Sequence, residues 1–243
     1  MAGEPGRHHL RCRRKEGVGP LVVPGQVLEG ALRTVRNTVV RMVDPEAESV
    51  EADLRAGRIK CPRCGSGLRP WGYARTRWLR DHGQPVGMRP RRSICRQCRN
   101  TPGAQKTHVL LPKIALLRRA DTVTTIGEAL EARHLDGCRR GEVAQQAGVH
   151  MDTLRGWLRR FAERAGEVRV LFTRLAHEWD PEQPPVAARE SPALDALEAI
   201  GLAVQAAARN FGAADTEPRW QLVAGASAGH LLCNTSCLFP RPP

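Results

Sequence analysis

Two cysteine pairs constrain this chain more than any other feature. Cys61-Pro-Arg-Cys64 and Cys95-Arg-Gln-Cys98 each have the C-x-x-C spacing that lets two thiols of one tight turn hold a single metal ion. Together they supply four thiolates, which fill the tetrahedral shell of Zn²⁺ and leave no position for water or substrate. The spacing therefore predicts one structural zinc ion in a zinc ribbon. Iron in the same four-thiolate cage is the alternative.

The connection between the two cysteine pairs is long. It holds 30 residues, whereas pairs of this kind are commonly separated by about 15 to 20 residues. The stretches Leu68–Leu79 and Val86–Ile94 are typical of strands, and Asp81–Pro85 between them is typical of a turn. We therefore expect a long β-hairpin inside a zinc ribbon that spans residues 58–116.

Three aromatic side chains lie among the arginines of this hairpin. By strand alternation Trp71 and Tyr73 share one face, and Trp78 lies on the other. We expect these rings to cover a small core beside the metal, and stacking on nucleic-acid bases is the alternative. His82 and His108 are expected to bind the metal only if a cysteine does not.

The basic charge of the chain is concentrated on the ribbon. The whole sequence has a formal net charge of +13, and residues 55–119 hold 17 basic side chains against one acidic side chain, Asp81. A strong field of one sign on a small module favours a polyanionic partner, and we expect double-stranded DNA. Arg91 and Arg92 are the predicted phosphate contacts. The alternative is that a GC-rich coding sequence raises the arginine content of the whole chain. That effect does not explain why the flanking segments are balanced in charge.

The cellular compartment is also predicted from composition. No apolar run approaches the roughly 18 to 20 residues needed to span a membrane, and the basic N-terminus lacks the pattern of a signal peptide. The eight cysteines are expected to be metal ligands and spare thiols of a reducing compartment rather than disulfides. We therefore expect a cytoplasmic, nucleoid-associated protein that does not contact a membrane.

A second motif lies in residues 139–161. Ala144 is small enough for a close helix crossing, and Gly148, four residues later, suits the left-handed conformation of a tight turn. Leu154 and Trp157 then fall at core positions of the following helix. These offsets predict a helix-turn-helix within a three-helix unit at residues 117–166, and an ordinary helical hairpin is the alternative.

In that arrangement the helix that begins at Met151 would be the recognition helix. Arg155 and Arg159 are one turn apart, and either guanidinium can hydrogen-bond a guanine with two donors. Arg160 and Arg164 are expected to contact phosphate. A solvated helix face is the alternative for these arginines. The candidate DNA-binding residues of this helix are His150, Met151, Asp152, Arg155, Arg159 and Arg160.

The remaining segments carry weaker signals. Residues 1–43 are rich in Gly, Pro and Arg and are expected to be a disordered extension. We expect a short helix over residues 44–57, a helix from about residue 118 to 134, a helix and linker over 167–191, and C-terminal helices with a tail over 192–243. These last helices are expected to pack on the helix-turn-helix or to form a homodimer. The predicted fold class is therefore mostly α with a small β zinc ribbon.

The motif Cys-Pro-x-Cys-Gly followed by a helix-turn-helix resembles the N-terminal DNA-binding region of insertion-sequence transposases. The chain more specifically resembles an actinobacterial family of small helix-turn-helix proteins of unknown function. This resemblance implies a zinc ribbon, a helix-turn-helix and DNA binding, and it implies no measured activity. The residues that carry it are Cys61–Gly67, Arg69–Arg75, Cys95–Cys98, Thr107–Pro112 and Val143–Phe161. The insert Asn100–Lys106 departs from the common ribbon.

No catalytic site is expected. The acidic nuclease domain of a transposase does not fit into the 79 residues that follow Arg164, and those residues look helical. We therefore expect a non-enzymatic DNA-binding protein, either a transcriptional regulator or a transposase-like DNA-binding factor without a nuclease domain. One alternative is a non-catalytic accessory or remnant of a transposition system. Another is a zinc-ribbon module that binds RNA or protein.

Overall fold

A computed structural model describes residues 41–99, 102, 106–211 and 218–233 of the chain. About half of these residues are helical, and the strands form one four-stranded sheet and one two-stranded sheet. The predicted fold class is confirmed at this level, since a mostly helical chain carries a small β unit around four clustered cysteines. Within the described ranges, no helix has the length and apolar character needed to cross a membrane.

The strands of the described residues all lie before residue 113. The four-stranded sheet has the order β1-β6-β5-β2, with β1 parallel to β6 and the other neighbours antiparallel. β3 and β4 form a separate hairpin. The predicted long hairpin is thus present, with β2 and β5 at its base and β3 and β4 at its far end. The bounds are β1 Arg41–Val43, β2 Arg69–Tyr73, β3 Arg77–Asp81, β4 Gln84–Met88, β5 Arg91–Ile94 and β6 Thr107–Pro112.

The helices of the described residues are α1 Ala47–Ala56, α2 Arg96–Arg99, α3 Val123–His134, α4 Arg140–Gln146, α5 Met151–Trp179, α6 Pro192–Phe211 and α7 Arg219–Ala226. α3, α4 and the first turns of α5 form a three-helix unit around one apolar core. Its buried side chains include Ile126, Leu130, Val143, Leu154 and Trp157. The prediction of this unit used Ala144, Gly148, Leu154 and Trp157. Ala144, Leu154 and Trp157 are buried, and Gly148 adopts φ 62°.

The N-terminal boundary differs from the prediction. Residues 41–43 were assigned to a disordered extension, but they form β1 and pair with β6; residues 1–40 lie outside the described residues. The helix expected over residues 44–57 begins only at Ala47. The reason is local, because the Asp44 carboxylate accepts a hydrogen bond from the Glu46 amide (2.8 Å) and closes a turn before the helix. Gly57 ends the helix as predicted, at φ 68°.

The start of α3 also differs from the prediction. It begins at Val123 rather than near residue 118, because Ala115 pairs with Thr122 in an antiparallel β-bridge that closes residues 115–122 into a loop, in which Arg118 adopts φ 58°. The Thr122 hydroxyl then accepts a hydrogen bond from the Thr125 amide (3.2 Å) and caps the helix. Helix α3 ends at His134, before Gly137.

The C-terminal helices pack inside the same chain. α5 is one continuous helix of 29 residues that passes the predicted boundary at residue 166, and α6 packs along it. α7 is buried against α3, where the Trp220 ring lies over Gly127. The apolar faces expected to serve packing or a homodimer are therefore covered within this chain, and a homodimer stays a prediction. Cys138 is disulfide-bonded, so the expectation of free thiols is wrong there.

Candidate metal centre and nucleic-acid interface

The four predicted cysteine ligands come together in the structure. The sulfur atoms of Cys61, Cys64, Cys95 and Cys98 all lie within 4.8 Å of one another. Cys61 Sγ is 3.9 Å from Cys98 Sγ, and Cys64 Sγ is 3.4 Å from Cys95 Sγ. Zinc–sulfur bonds of about 2.3 Å in a tetrahedron place the sulfur atoms about 3.8 Å apart. The cluster therefore fits a four-coordinate metal and a zinc ribbon.

Local backbone contacts shape each cysteine pair. The Gly65 amide donates to the Cys61 carbonyl (3.0 Å), and Gly65 adopts φ 75°, so the chain reverses directly after Cys64. In the second pair, the Cys98 amide points at Cys95 Sγ at 3.4 Å. Such amide contacts stabilise a thiolate. These local contacts, together with the C-x-x-C spacing, aim the sulfur atoms of both pairs at one point.

The thiols of Cys64, Cys95 and Cys98 differ in their acidity before any metal binds. The hydrogen bond with Ser66 lowers the pKa of the exposed Cys64 thiol to about 6. Burial raises the pKa of Cys95, and it raises the pKa of Cys98 to about 12. Burying three sulfur atoms close together disfavours their negative charges, and a divalent cation reverses that balance. The arrangement is therefore more compatible with metal binding than with a free reactive thiolate.

His108 lies beside the cluster. Its side chain is buried on β6, and its Nε2 is 3.7 Å from Cys61 Sγ. Burial lowers the pKa of His108, which keeps the ring neutral. A neutral ring nitrogen that carries its proton can donate to a ligand sulfur and support it from outside the metal shell. From the sequence, His108 is expected only as a substitute ligand, because the pairing of β6 with β5 that brings it to Cys61 is not visible in the residue spacing.

The far end of the long hairpin docks on the three-helix unit. Arg80 forms a two-point ion pair with the buried carboxylate of Asp121, at 2.8 and 3.0 Å. Asp81 Oδ1 accepts hydrogen bonds from the hydroxyls of Thr122 (2.6 Å) and Thr125 (3.0 Å) at the start of α3. The single acidic side chain of the basic segment is therefore used to attach the ribbon to α3.

The hairpin turn also contacts the turn between α4 and α5. The His82 amide donates to the Thr125 hydroxyl (2.9 Å), and His82 Nδ1 is 3.4 Å from the Gln146 carbonyl. Gly83 packs directly against Gly148. The ribbon is consequently fixed next to the N-terminus of α5, the helix that carries the predicted base contacts.

The N-terminal face of α5 is open to solvent. The side chains of Arg155 and Arg159 are 62% and 68% exposed, and His150 and Asp152 are also exposed. Arg155 is held by Asp152 at 3.0 Å. Because both partners are exposed, such a pair contributes only about 0.2–1 kcal/mol and is easily exchanged for a stronger partner. Of the other predicted residues, Met151 and Arg160 are half-buried, and Arg160 donates to the Gly156 carbonyl.

Two predicted phosphate contacts need correction. Arg164 is 5% exposed, and its guanidinium reaches Glu167 at 2.9 Å, so it belongs to the core side of α5. Arg91 is also largely enclosed: it pairs with Glu51 of α1 at 2.7 Å and lies 4.4 Å from the centre of the Tyr73 ring. A charge neutralised within the fold contributes little to phosphate binding. Arg92 is half-buried on β5.

The interpretation of the hairpin aromatics as core residues is wrong. Trp71, Tyr73 and Trp78 are 51%, 46% and 68% exposed. The buried apolar side chains of this region are Leu68, just before β2, and Leu79, Met88 and Ile94 of the hairpin strands. Arg75, Arg77 and Arg89 of the same hairpin are exposed too, and none of them forms an ion pair within the described residues. Strand alternation gives Trp71 and Tyr73 no buried face, because only Pro70 of the five β2 residues is even partly buried.

Comparison with family models, with curated proteins and with solved structures returned no match for this chain. The functional inference therefore rests on the geometry of the chain itself.

Proposed function

We propose that this chain is a non-enzymatic protein that binds double-stranded DNA, with α4 and α5 acting as a helix-turn-helix and the four-cysteine unit as a zinc ribbon. The observation that carries the proposal is the N-terminal face of α5. Arg155 and Arg159 project from it into solvent, while Leu154 and Trp157 on the opposite side are buried. A recognition helix needs this division, because its first turns must reach base edges while its other face anchors it.

The turn between α4 and α5 supports the same proposal. Gly148 adopts φ 62° between the two helices, which is the conformation that glycine supplies at such a turn. The Val149 amide donates to the Ala144 carbonyl (3.0 Å), so the chain turns within a few residues. The turn between the two helices is short, as a helix-turn-helix requires, and the exposed side of the N-terminal part of α5 is polar.

The ribbon would contribute affinity rather than base preference. Cys61, Cys64, Cys95 and Cys98 would hold one Zn²⁺, whose role is to fold the ribbon. Exposed arginines on the ribbon would then contact phosphates beside the groove occupied by α5. In this proposal the protein acts at the nucleoid as a regulator, or as a transposase-like DNA-binding factor that lacks a nuclease.

Selection of bound sequences from random duplex DNA tests this function. Arg155→Ala should relax the preference at one base-pair position, with a loss of about 1–3 kcal/mol of discrimination. The matched control is Arg174→Ala, which removes an exposed arginine near the other end of the same helix, where it pairs with Glu178. The control should leave the selected sequence unchanged. An equal loss of affinity for every sequence in Arg155→Ala would contradict base recognition by α5.

A further inference from the structure

Two exposed tryptophans on the ribbon have no part in the proposed duplex binding. The chain has five tryptophans, and Trp157, Trp179 and Trp220 are buried in the helical core. Trp71 and Trp78 are instead 51% and 68% exposed. They lie on β2 and β3, which follow each other along one arm of the hairpin. An exposed tryptophan forgoes the stabilisation that burial of its ring would give. Two exposed tryptophans on one hairpin therefore point to a binding role.

Trp78 is presented by the residue opposite it. Trp78 pairs with Gly87 across the β3–β4 ladder. A Cβ on Gly87 would lie 3.1 Å from the indole ring, so the glycine lets the ring lie flat against the β4 backbone. One face of the indole is therefore supported by the strand, and the other is left for a flat partner.

Trp71 is presented by a break in its strand. Four residues of β2, from Pro70 to Tyr73, lie opposite three residues of β5, from Ser93 to Arg91, and Gly72 adopts φ 100°. Such a bulge redirects the side chains of its strand. Tyr73 is less available, because the guanidinium groups of Arg91 and Arg89 lie 4.4 Å and 5.0 Å from the centre of its ring. Trp71, which lies inside the bulge, and Trp78, opposite a glycine, are therefore the rings left open to a partner.

The charge around the rings selects the partner. Arg75, Arg77 and Arg89 are exposed on the same hairpin strands and their connections, and none forms an ion pair within the described residues. Aromatic rings interleaved with cations are the arrangement that binds single-stranded nucleic acid, since each base offers a flat face and each linkage a phosphate. In a duplex the base faces are covered by stacking, so these rings need bases that are unpaired.

We propose that Trp71 and Trp78, at the two ends of one arm of the hairpin, form a platform on which unpaired DNA bases stack, with Arg75 and Arg77 between them on the adjoining phosphates. This platform is separate from the α5 face and goes beyond the proposed duplex binding. The protein would thereby favour DNA that contains a duplex next to an unpaired segment, such as a strand end or an opened site. The hairpin turn that docks on Gly148 keeps the two surfaces in one rigid arrangement.

The test uses the full-length, zinc-loaded protein and two short oligonucleotides of equal length, a thymidine strand and an abasic strand. Thymidine binding should quench the fluorescence of the exposed indoles. Trp78→Ala should weaken thymidine binding by roughly 5- to 150-fold, the range found when a stacking residue is truncated. It should leave abasic binding unchanged, and Trp78→Phe should retain most of the affinity. Val170→Ala, which removes a side chain 57% exposed on α5, should change neither.

A second variant, Trp71→Ala, is needed because the Trp78 ring also packs on Gly87 of β4, so that removing this ring can disturb the hairpin itself. Zinc content and circular dichroism check that both variants are folded. Equal affinity for the thymidine and abasic strands would overturn the proposal, as would unchanged thymidine binding in both tryptophan variants. The proposal would also be overturned if an acidic peptide of the same charge bound as tightly as the thymidine strand and if Trp78→Ala weakened the binding of both by the same factor.

The outcome is distinguishable from failure of the proposed function. Arg155→Ala should not alter thymidine binding, because Arg155 lies on α5 and not on the ribbon. Thymidine binding without any duplex preference would sink only the helix-turn-helix proposal. Duplex preference without base-dependent thymidine binding would sink only the stacking platform.

Discussion

Gly83, in the turn of the β3–β4 hairpin, packs backbone to backbone against Gly148, in the turn between α4 and α5. A Cβ on Gly148 would lie 2.6 Å from the Gly83 nitrogen and 2.7 Å from its Cα. Side chains on either residue would force the two turns apart. Together with the Arg80–Asp121 ion pair, this contact joins the cysteine unit to the helical unit, so the folding of one supports the position of the other.

Gly148→Ala should destabilise the protein. The residue adopts φ 62° and its new methyl group would overlap the Gly83 backbone, so we expect a loss of at least about 1–3 kcal/mol in the free energy of unfolding. Urea denaturation followed by circular dichroism measures the change. Gly166→Ala is the matched control, since it lies on α5 with nothing within 4 Å of the added Cβ. It should stabilise by about 0.5–1 kcal/mol, and an unchanged Gly148→Ala protein would contradict the close contact.

The purified protein should contain one Zn²⁺ per chain. Cys61→Ser or Cys98→Ser should lose the metal and unfold the ribbon, because binding of a structural metal supplies the folding free energy of such a unit. Elemental analysis and limited proteolysis at residues 58–112 measure both effects. Cys233→Ser changes a buried cysteine outside the cluster and should retain the metal. Purified protein with neither zinc nor iron would refute the site, and iron alone would correct the identity of the metal.

Charge reversal at Arg77 should weaken binding to every duplex about equally. Arg77 is exposed and forms no ion pair within the described residues, so Arg77→Glu should remove a phosphate contact. If the protein contacts about five phosphates, a plot of log binding constant against log salt concentration should have a slope near −4.5. In Arg77→Ala this slope should become about one unit shallower. Titrations at several salt concentrations measure the slope, and a flat salt response would contradict an electrostatic surface.

Arg91→Ala should behave differently from Arg77→Ala. It removes the partner of Glu51 and the cation over Tyr73, so we expect a loss of about 1–2 kcal/mol in stability from the broken, partly buried charge-assisted hydrogen bonds. The salt slope of DNA binding should change little. Thermal melts and salt titrations of the two variants, made in parallel, separate the structural arginine from the contact arginine. A fully stable Arg91→Ala protein with a shallower slope would restore the phosphate role predicted from sequence.

Trp157→Ala should cost about 3–5 kcal/mol of stability, as expected for a large side chain removed from a core. Trp157 is 2% exposed among the residues that join α3, α4 and α5. The control is Trp71→Ala, which removes the same ring from a 51% exposed position and should change stability by no more than about 0.5 kcal/mol. Denaturation curves of the two variants provide the comparison. Equal effects would contradict the burial pattern.

Local patterns were enough to predict several parts of the site. The C-x-x-C spacing brings two sulfur atoms to one point within a few residues, so Cys61, Cys64, Cys95 and Cys98 could be identified directly. The offsets from Ala144 to Trp157 likewise describe two short helices and one turn. In both cases the interactions that define the element span only a few residues of sequence, and the residue types that satisfy them are few.

Side-chain roles on the surface could not be predicted in this way. Arg77 and Arg91 have the same chemistry and lie in the same basic segment, yet Glu51 lies near only one of them. Arg164 looks like an outward arginine of α5 until α6 and the C-terminal segment cover that face of the helix. Trp71 is exposed because β2 is open on both faces, whereas strand alternation assumes that one face of a strand is buried.

The sequence by itself determined the two cysteine pairs that cluster, the mostly helical fold class and the turn between α4 and α5, because each follows largely from contacts between near neighbours in the chain. Only the tertiary structure decided which cations are neutralised, which rings are presented to solvent and how the ribbon is placed relative to α5. The neutralised cations depend on partners 40 or more residues away, such as Asp121 for Arg80 and Glu51 for Arg91. Such partners are selected by the packing of the whole chain, and no local pattern encodes them.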